Sequence, residues 1–264
     1  MTVRASYYKT YDMKYIIIPI LIFSSLGFAS CSVDLNSKSP VSNYLDRVTA
    51  SDNLISEKRT VDRFDAIEVS SAISVTVNDG DYTGELTIDA PDNILSRIET
   101  VVENGVLKMK IKGTVSLQNQ KIKVNFSHKK LRSFDISGAS NVTVLPTLKV
   151  DKLNVDLSGA SVLKVDVVAN EISVDNSGAS SMKISGNAQN LLLQVSGASS
   201  FNAKDLKAAN VTVDCSGASS ATVWAVDNLK AESSGASSVK YVSQNGLKTQ
   251  VDTSGMSTIK SINK

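Results

Sequence analysis

The residues that could do chemistry in this chain come in rows rather than in clusters. Six acidic side chains, Asp135, Asp156, Asp175, Asp214, Glu232 and Asp252, each stand two positions before a repeated tetrapeptide. Gln194 takes the acidic place in the one remaining copy. If these residues share a face, they offer a line of oxygen ligands to Ca²⁺, or a binding strip for a cationic or hydroxyl-rich partner. Neighbouring carboxylates about 4.8 Å apart repel by only about 0.9 kcal/mol in water, so the row belongs outside the fold, where it also serves as a solubilising stripe. Six positions after the first Ser of each tetrapeptide stand Thr143, Lys164, Lys183, Asn202, Thr222, Lys240 and Lys260, a partly basic row. Such segregated charge suits a charged polysaccharide, a neighbouring molecule or plain solvation.

Nucleophilic chemistry fits poorly. A serine hydrolase needs a nucleophile elbow and an imidazole base. Here the serines repeat in every copy, and the chain's one histidine, His128, lies outside the repeats. Cys215 occupies a place held elsewhere by Ile136, Leu157 and Val195, which marks it as a small buried hydrophobe. Trp224 has outward parity and could either stack on a sugar or pack at a coil edge. One His and two Cys exclude an ordinary zinc site and a disulfide framework, and no metal or cofactor is expected. A net charge of +2 gives no reason to expect nucleic acid.

The elements that position these rows follow from the tetrapeptide itself. Ser-Gly-Ala-Ser begins at Ser137, Ser158, Ser177, Ser196, Ser216 and Ser234, and Ser254-Gly255-Met256-Ser257 is a variant copy. A spacing of 18 to 21 residues points to a solenoid. Apolar residues alternate on both sides of each copy, for example Leu153, Val155, Leu163 and Val165, so a coil reads as strand, tight corner, strand. The corner glycines Gly138, Gly159, Gly178, Gly197, Gly217, Gly235 and Gly255 supply a positive φ, and the following Ala suits a side chain turned into a crowded bend. The expected fold is all-β: a right-handed parallel β-helix of about 20-residue coils. Residues 131–264 carry the repeats. Residues 61–130, with an Asn104-Gly105 hairpin signal, form a less regular β cap within the same domain.

The first thirty residues read as a secretory signal. The apolar run from Tyr15 to Phe28 is too short to span a bilayer, Lys14 precedes it, and small residues lead to Cys31. Met13-Lys14 resembles the natural start of that signal. The ending Leu26-Gly27-Phe28-Ala29-Ser30-Cys31 resembles a bacterial lipobox, which implies lipidation of Cys31, with a palmitate among its acyl chains, and anchoring to the membrane. An ordinary signal followed by a free cysteine is the alternative. Residues 31–60 then form the lipidated cysteine and a polar tether, with a mean reach near 30 Å for a flexible coil. Removing residues 1–30 leaves a formally neutral body.

Phe64-Asp65-Ala66-Ile67, Ala90-Pro91-Asp92-Asn93-Ile94-Leu95, Asn104-Gly105-Val106-Leu107 and the serial Ser-Gly-Ala-Ser corners together resemble the head GIN domain family of auto-transporter adhesin-type proteins. The resemblance covers about residues 61–257. It implies a parallel β-helix in an exported lipoprotein of Bacteroidetes-type bacteria and brings no catalytic motif. The expected function is therefore a non-catalytic, lipid-anchored envelope protein at the outer membrane, facing the periplasm or the surface. It would bind a polysaccharide or protein ligand, or associate with itself. A periplasmic structural scaffold and a polysaccharide-active β-helix enzyme are the alternatives.

Overall fold

The computed structural model describes residues 47–263. The signal segment and Cys31 lie outside the described residues. Four long strands, Val162–Asn176, Ser181–Val195, Ser200–Cys215 and Ser220–Ser233, stack in parallel, each in register with the next. The expected corner is there at every copy. In these four coils one strand runs from corner to corner and bends at register shifts such as Lys183/Ser185 and Asn202/Lys207, whereas the first and last intervals are split into Asn141–Lys149 with Lys152–Leu157 and Ser238–Val242 with Lys248–Thr253. Alternation fills the core with Leu163, Val165, Val167 and Ala169. Exposed Asn170 and Glu171 then reset its phase before Ile172 and Val174 point inward again. The row Asn190, Asn210 and Asn228 follows that reset, with the Asn210 amide donating to Asn190 Oδ1 at 3.0 Å and the Asn228 amide to Asn210 Oδ1 at 2.7 Å.

The corner explains its own sequence. Its glycines have φ between 67° and 75°, the left-handed region. The N–H of the next residue donates to the glycine carbonyl of the preceding coil, as in Ala160 to Gly138 at 2.7 Å and Met256 to Gly235 at 2.8 Å. The expectation that Ala turns into a crowded bend is corrected, since the alanine side is exposed in every copy. The buried residue is the last serine. Ser199 Oγ donates to Asn176 O in the coil before it at 2.8 Å and to Ser196 O at 2.6 Å, and Ser161, Ser219 and Ser237 repeat the pattern. A small hydroxyl fits there because two carbonyls converge on it.

Below the first regular coil, Ala66–Val69 and Ile73–Asn78 continue the stack, followed by Val106–Ile111 and Ile122–Ser127. Ser71 and Ala72 stand where later corners have Gly-Ala, with φ of 69° and 63°. Antiparallel strands complete this irregular end. Ile98–Glu103 forms the expected hairpin with Val106–Ile111 through Asn104-Gly105, and Glu85–Pro91 pairs with Ile122–Ser127.

The folded region also starts earlier than residue 61. Val48–Thr49 pairs with Val115–Ser116, and Leu54–Thr60 pairs antiparallel with Glu85–Pro91. Leu54–Thr60 has no buried face, so it carries no hydrophobic alternation to read. Backbone pairing holds it, helped by the Arg59 guanidinium, which donates to Ile98 O at 2.5 Å and Leu95 O at 3.0 Å. At the other end, Val251 keeps its inward register against Ala231 but is 49% exposed. Among the described residues no helix is long and apolar enough to cross a membrane.

Candidate functional site

Strand register turns the spaced acids into a continuous line. Asp135, Asp156, Asp175, Gln194, Asp214, Glu232 and Asp252 pair rung to rung, all on exposed positions. The line runs further than the repeats do. Asp135 pairs with Glu68, and Glu68 pairs with Lys108. The Glu68 and Lys108 positions were missed because their corner lacks the glycine, although Ile67-Glu68-Val69 carries the same alternation. Cations meet the line near its two ends. Lys108 Nζ lies 3.9 Å from Glu68 and 2.9 Å from Glu103, and Lys230 Nζ lies 3.0 Å from Glu232.

The carboxylates stand parallel, each on its own rung, and do not converge. Among the described residues no three His, Cys, Asp or Glu side chains come together to hold a metal ion. A shallow depression of about 250 Å³ does run beside Asp214, Glu232 and Asp252, lined by Ser233, Ser234, Thr253 and Ser254. Partial burial, then the charge of Asp156 and after it Glu68, pushes the Asp135 carboxyl above the usual carboxylate range. Burial and then Asp156 do the same to Asp175. At Asp135 and Asp175 the anion is thus disfavoured first by burial and then by neighbouring negative charge, which a cationic surface would offset.

On the strands that follow the corners, Thr143, Lys164, Lys183, Asn202, Thr222, Lys240 and Lys260 also stack rung on rung. All four lysines are exposed.

The remaining candidates are absorbed by structure. His128 is 5% exposed. Its Nδ1 accepts the Lys130 N–H at 3.1 Å, so Nε2 carries the proton and donates to Phe64 O at 2.9 Å. Burial holds this imidazole below its ordinary pKa. It forms the floor of a depression of about 410 Å³ whose lining, including Arg63, Tyr82 and Lys130, contains no serine. Cys215 is fully buried, its Sγ 3.1 Å from Ser219 Oγ. Trp224 is half-buried, with Lys207 Nζ 4.8 Å from its ring centroid and its Nε1 donating to Gln244 Oε1 at 3.3 Å. It packs at a coil edge.

What such a stack belongs to is decided by comparison. Residues 63–244 match the family model described as "putative auto-transporter adhesin, head GIN domain". The chain belongs to the head GIN domain family. Solved structures share this head GIN fold. One is a "putative adhesin" from Bacteroides fragilis, with TM-score 0.76 and 24% identity over 81% of this chain and 100% of that one. Another, a "putative adhesin" from Parabacteroides merdae, has TM-score 0.61 and 21% identity over 83% of this chain and 100% of its own. A third, a "putative lipid binding protein" from Parabacteroides distasonis, has TM-score 0.62 and 16% identity over 82% and 100%. At these identities the likeness is one of fold. No curated protein matches the chain.

Proposed function

We propose that this head GIN domain is a non-catalytic module displayed at the cell envelope, anchored through a lipidated Cys31, which binds a polymeric or surface ligand along its sheet faces. One observation carries the reading: successive rungs repeat the same residue types, acidic at six of seven places on one side of the corner and Lys at four of seven on the other, so a partner meets a repeated contact in place of a unique constellation. Repetition suits avidity, in which many weak contacts along one partner add to useful affinity. It suits catalysis poorly, because an active site needs one rung unlike the rest. Family membership supports the adhesin-type role, and the signal-like segment ending at Cys31 supports export and anchoring.

Two measurements test it. Palmitate labelling of the producing cells should mark the chain and fail to mark Cys31→Ser; equal labelling of both removes the anchor from the proposal. Purified chain on an array of glycans and extracellular-matrix proteins should show avid binding that weakens when Lys164 and Lys183 or Asp156 and Asp175 are neutralised. Turnover of any acidic polysaccharide on that array, lost on changing one rung, would replace this reading with an enzymatic one.

A further inference from the structure

The acidic and lysine rows match in five of seven coils; Asp135 and Asp214 instead share theirs with Thr143 and Thr222. Asp156 and Lys164 share a coil, as do Asp175 and Lys183, Glu232 and Lys240, and Asp252 and Lys260. The one neutral place in the acidic row, Gln194, shares its coil with Asn202, one of three lysine-free places in the other row. Within one molecule the rows flank the corner on different strands, and among the described residues no ion pair joins them. Both rows rise by one strand spacing per coil, about 4.8 Å, so they are commensurate by construction.

We infer that the lysine face docks the acidic face of a second copy of this chain, side by side with coils level. In that arrangement each of the four lysines meets a carboxylate, and Asn202 meets Gln194. Asp156, Asp175 and Asp252, which join no ion pair among the described residues, gain a counter-charge, and Glu232 gains a second beside Lys230. A free polyanion would neutralise the lysines equally well, but it would leave the acidic row without a partner. The contact joins two different surfaces, so it is heterologous and leaves an acidic face and a lysine face open at the two ends of any pair. Exposed ion pairs are individually weak and screened by salt, so the association depends on several rungs acting together and falls with ionic strength.

Sedimentation of the purified chain, at high concentration and low ionic strength, tests the inference directly. Wild type should self-associate and dissociate in about 1 M salt, where the Debye length is about 3 Å. Lys164→Glu with Lys183→Glu should weaken self-association about tenfold or more, as should Asp156→Lys with Asp175→Lys. An equimolar mixture should restore association, because the reversed acidic row of one variant meets the reversed lysine row of the other. Neutral Lys→Gln and Asp→Asn pairs give a second reading should a reversed variant fail to fold, with association weakened in each. A wild-type monomer under these conditions, variants that associate as wild type does, or a mixture that is not restored overturns the inference.

Discussion

Replacing Gly197 by alanine should open the stack at one rung. A Cβ built there falls 2.5 Å from Gly178 O in the preceding coil, 3.1 Å from its N and 3.3 Å from its C. An ordinary carbon–oxygen contact needs about 3.3 Å or more, so the coils must part locally by about 0.8 Å. The Ala198 N–H to Gly178 O bond is 2.7 Å long, and that movement stretches it to about 3.5 Å, beyond useful range. Loss of the bond costs about 0.5–1.5 kcal/mol. Forcing alanine into φ near 71° costs about 1–2 kcal/mol more. Gly197→Ala should therefore lose about 1.5–3.5 kcal/mol. Gly246→Ala is the control: it has φ of 88° but no atom within 4 Å of the added Cβ, so only the conformational cost of about 1–2 kcal/mol applies. Urea denaturation followed by circular dichroism gives both numbers, and amide exchange at Ala198 locates the damage. A Gly197→Ala variant no less stable than Gly246→Ala, with Ala198 still protected, would show that coil contact is not what requires glycine.

Other perturbations separate the same forces. Ser71→Gly should raise stability by about 1 kcal/mol in a denaturant titration, because Ser71 holds the corner's positive φ without being glycine. Ser199→Ala should cost about 1 kcal/mol, while Ser140→Ala should cost nothing or stabilise, since the buried Ser140 Oγ has no hydrogen-bond partner. Asp135→Asn should stabilise the protein at neutral pH. The raised folded pKa makes ionised Asp135 unfavourable above that value, and the penalty fades as pH falls through it toward the unfolded value near 3.9, so melting curves of variant and wild type should converge in acid. His128 acts in the opposite sense. Its lowered folded pKa means that the unfolded chain binds the proton first, so stability falls as pH drops below about 6.5, and NMR titration should show an Nε2-protonated ring with a midpoint below that value.

Much of this molecule is legible because its repeat is strict. The corner glycines, the inward alternation around Leu163 and Val165 and the outward acidic row all follow from periods that a reader can count. What could not be read had no period to betray it. Leu54–Thr60 hides its strand because neither face is buried, and the pairing information lies in its backbone. The inward run at Val167 and Ala169 follows a bend whose register shifts break the count, and Glu68 sits below a corner that does without glycine. The corner alanines were misplaced for a different reason. Small size is compatible with a crowded interior or with a turn apex, and only the hydroxyl-to-carbonyl bonds of Ser161, Ser199, Ser219 and Ser237 show that the serine is the buried member. At the candidate site the composition of each row was readable, whereas the absence of convergence among its carboxylates required coordinates.

Surface display is tested most directly by adding protease to intact producing cells and following the chain with an antibody to its repeat region. A lipid-anchored adhesin-type module facing outward should be released or degraded from intact cells, while a periplasmic marker survives. A chain that stays protected until the outer membrane is opened would contradict surface display and leave it with a role inside the envelope.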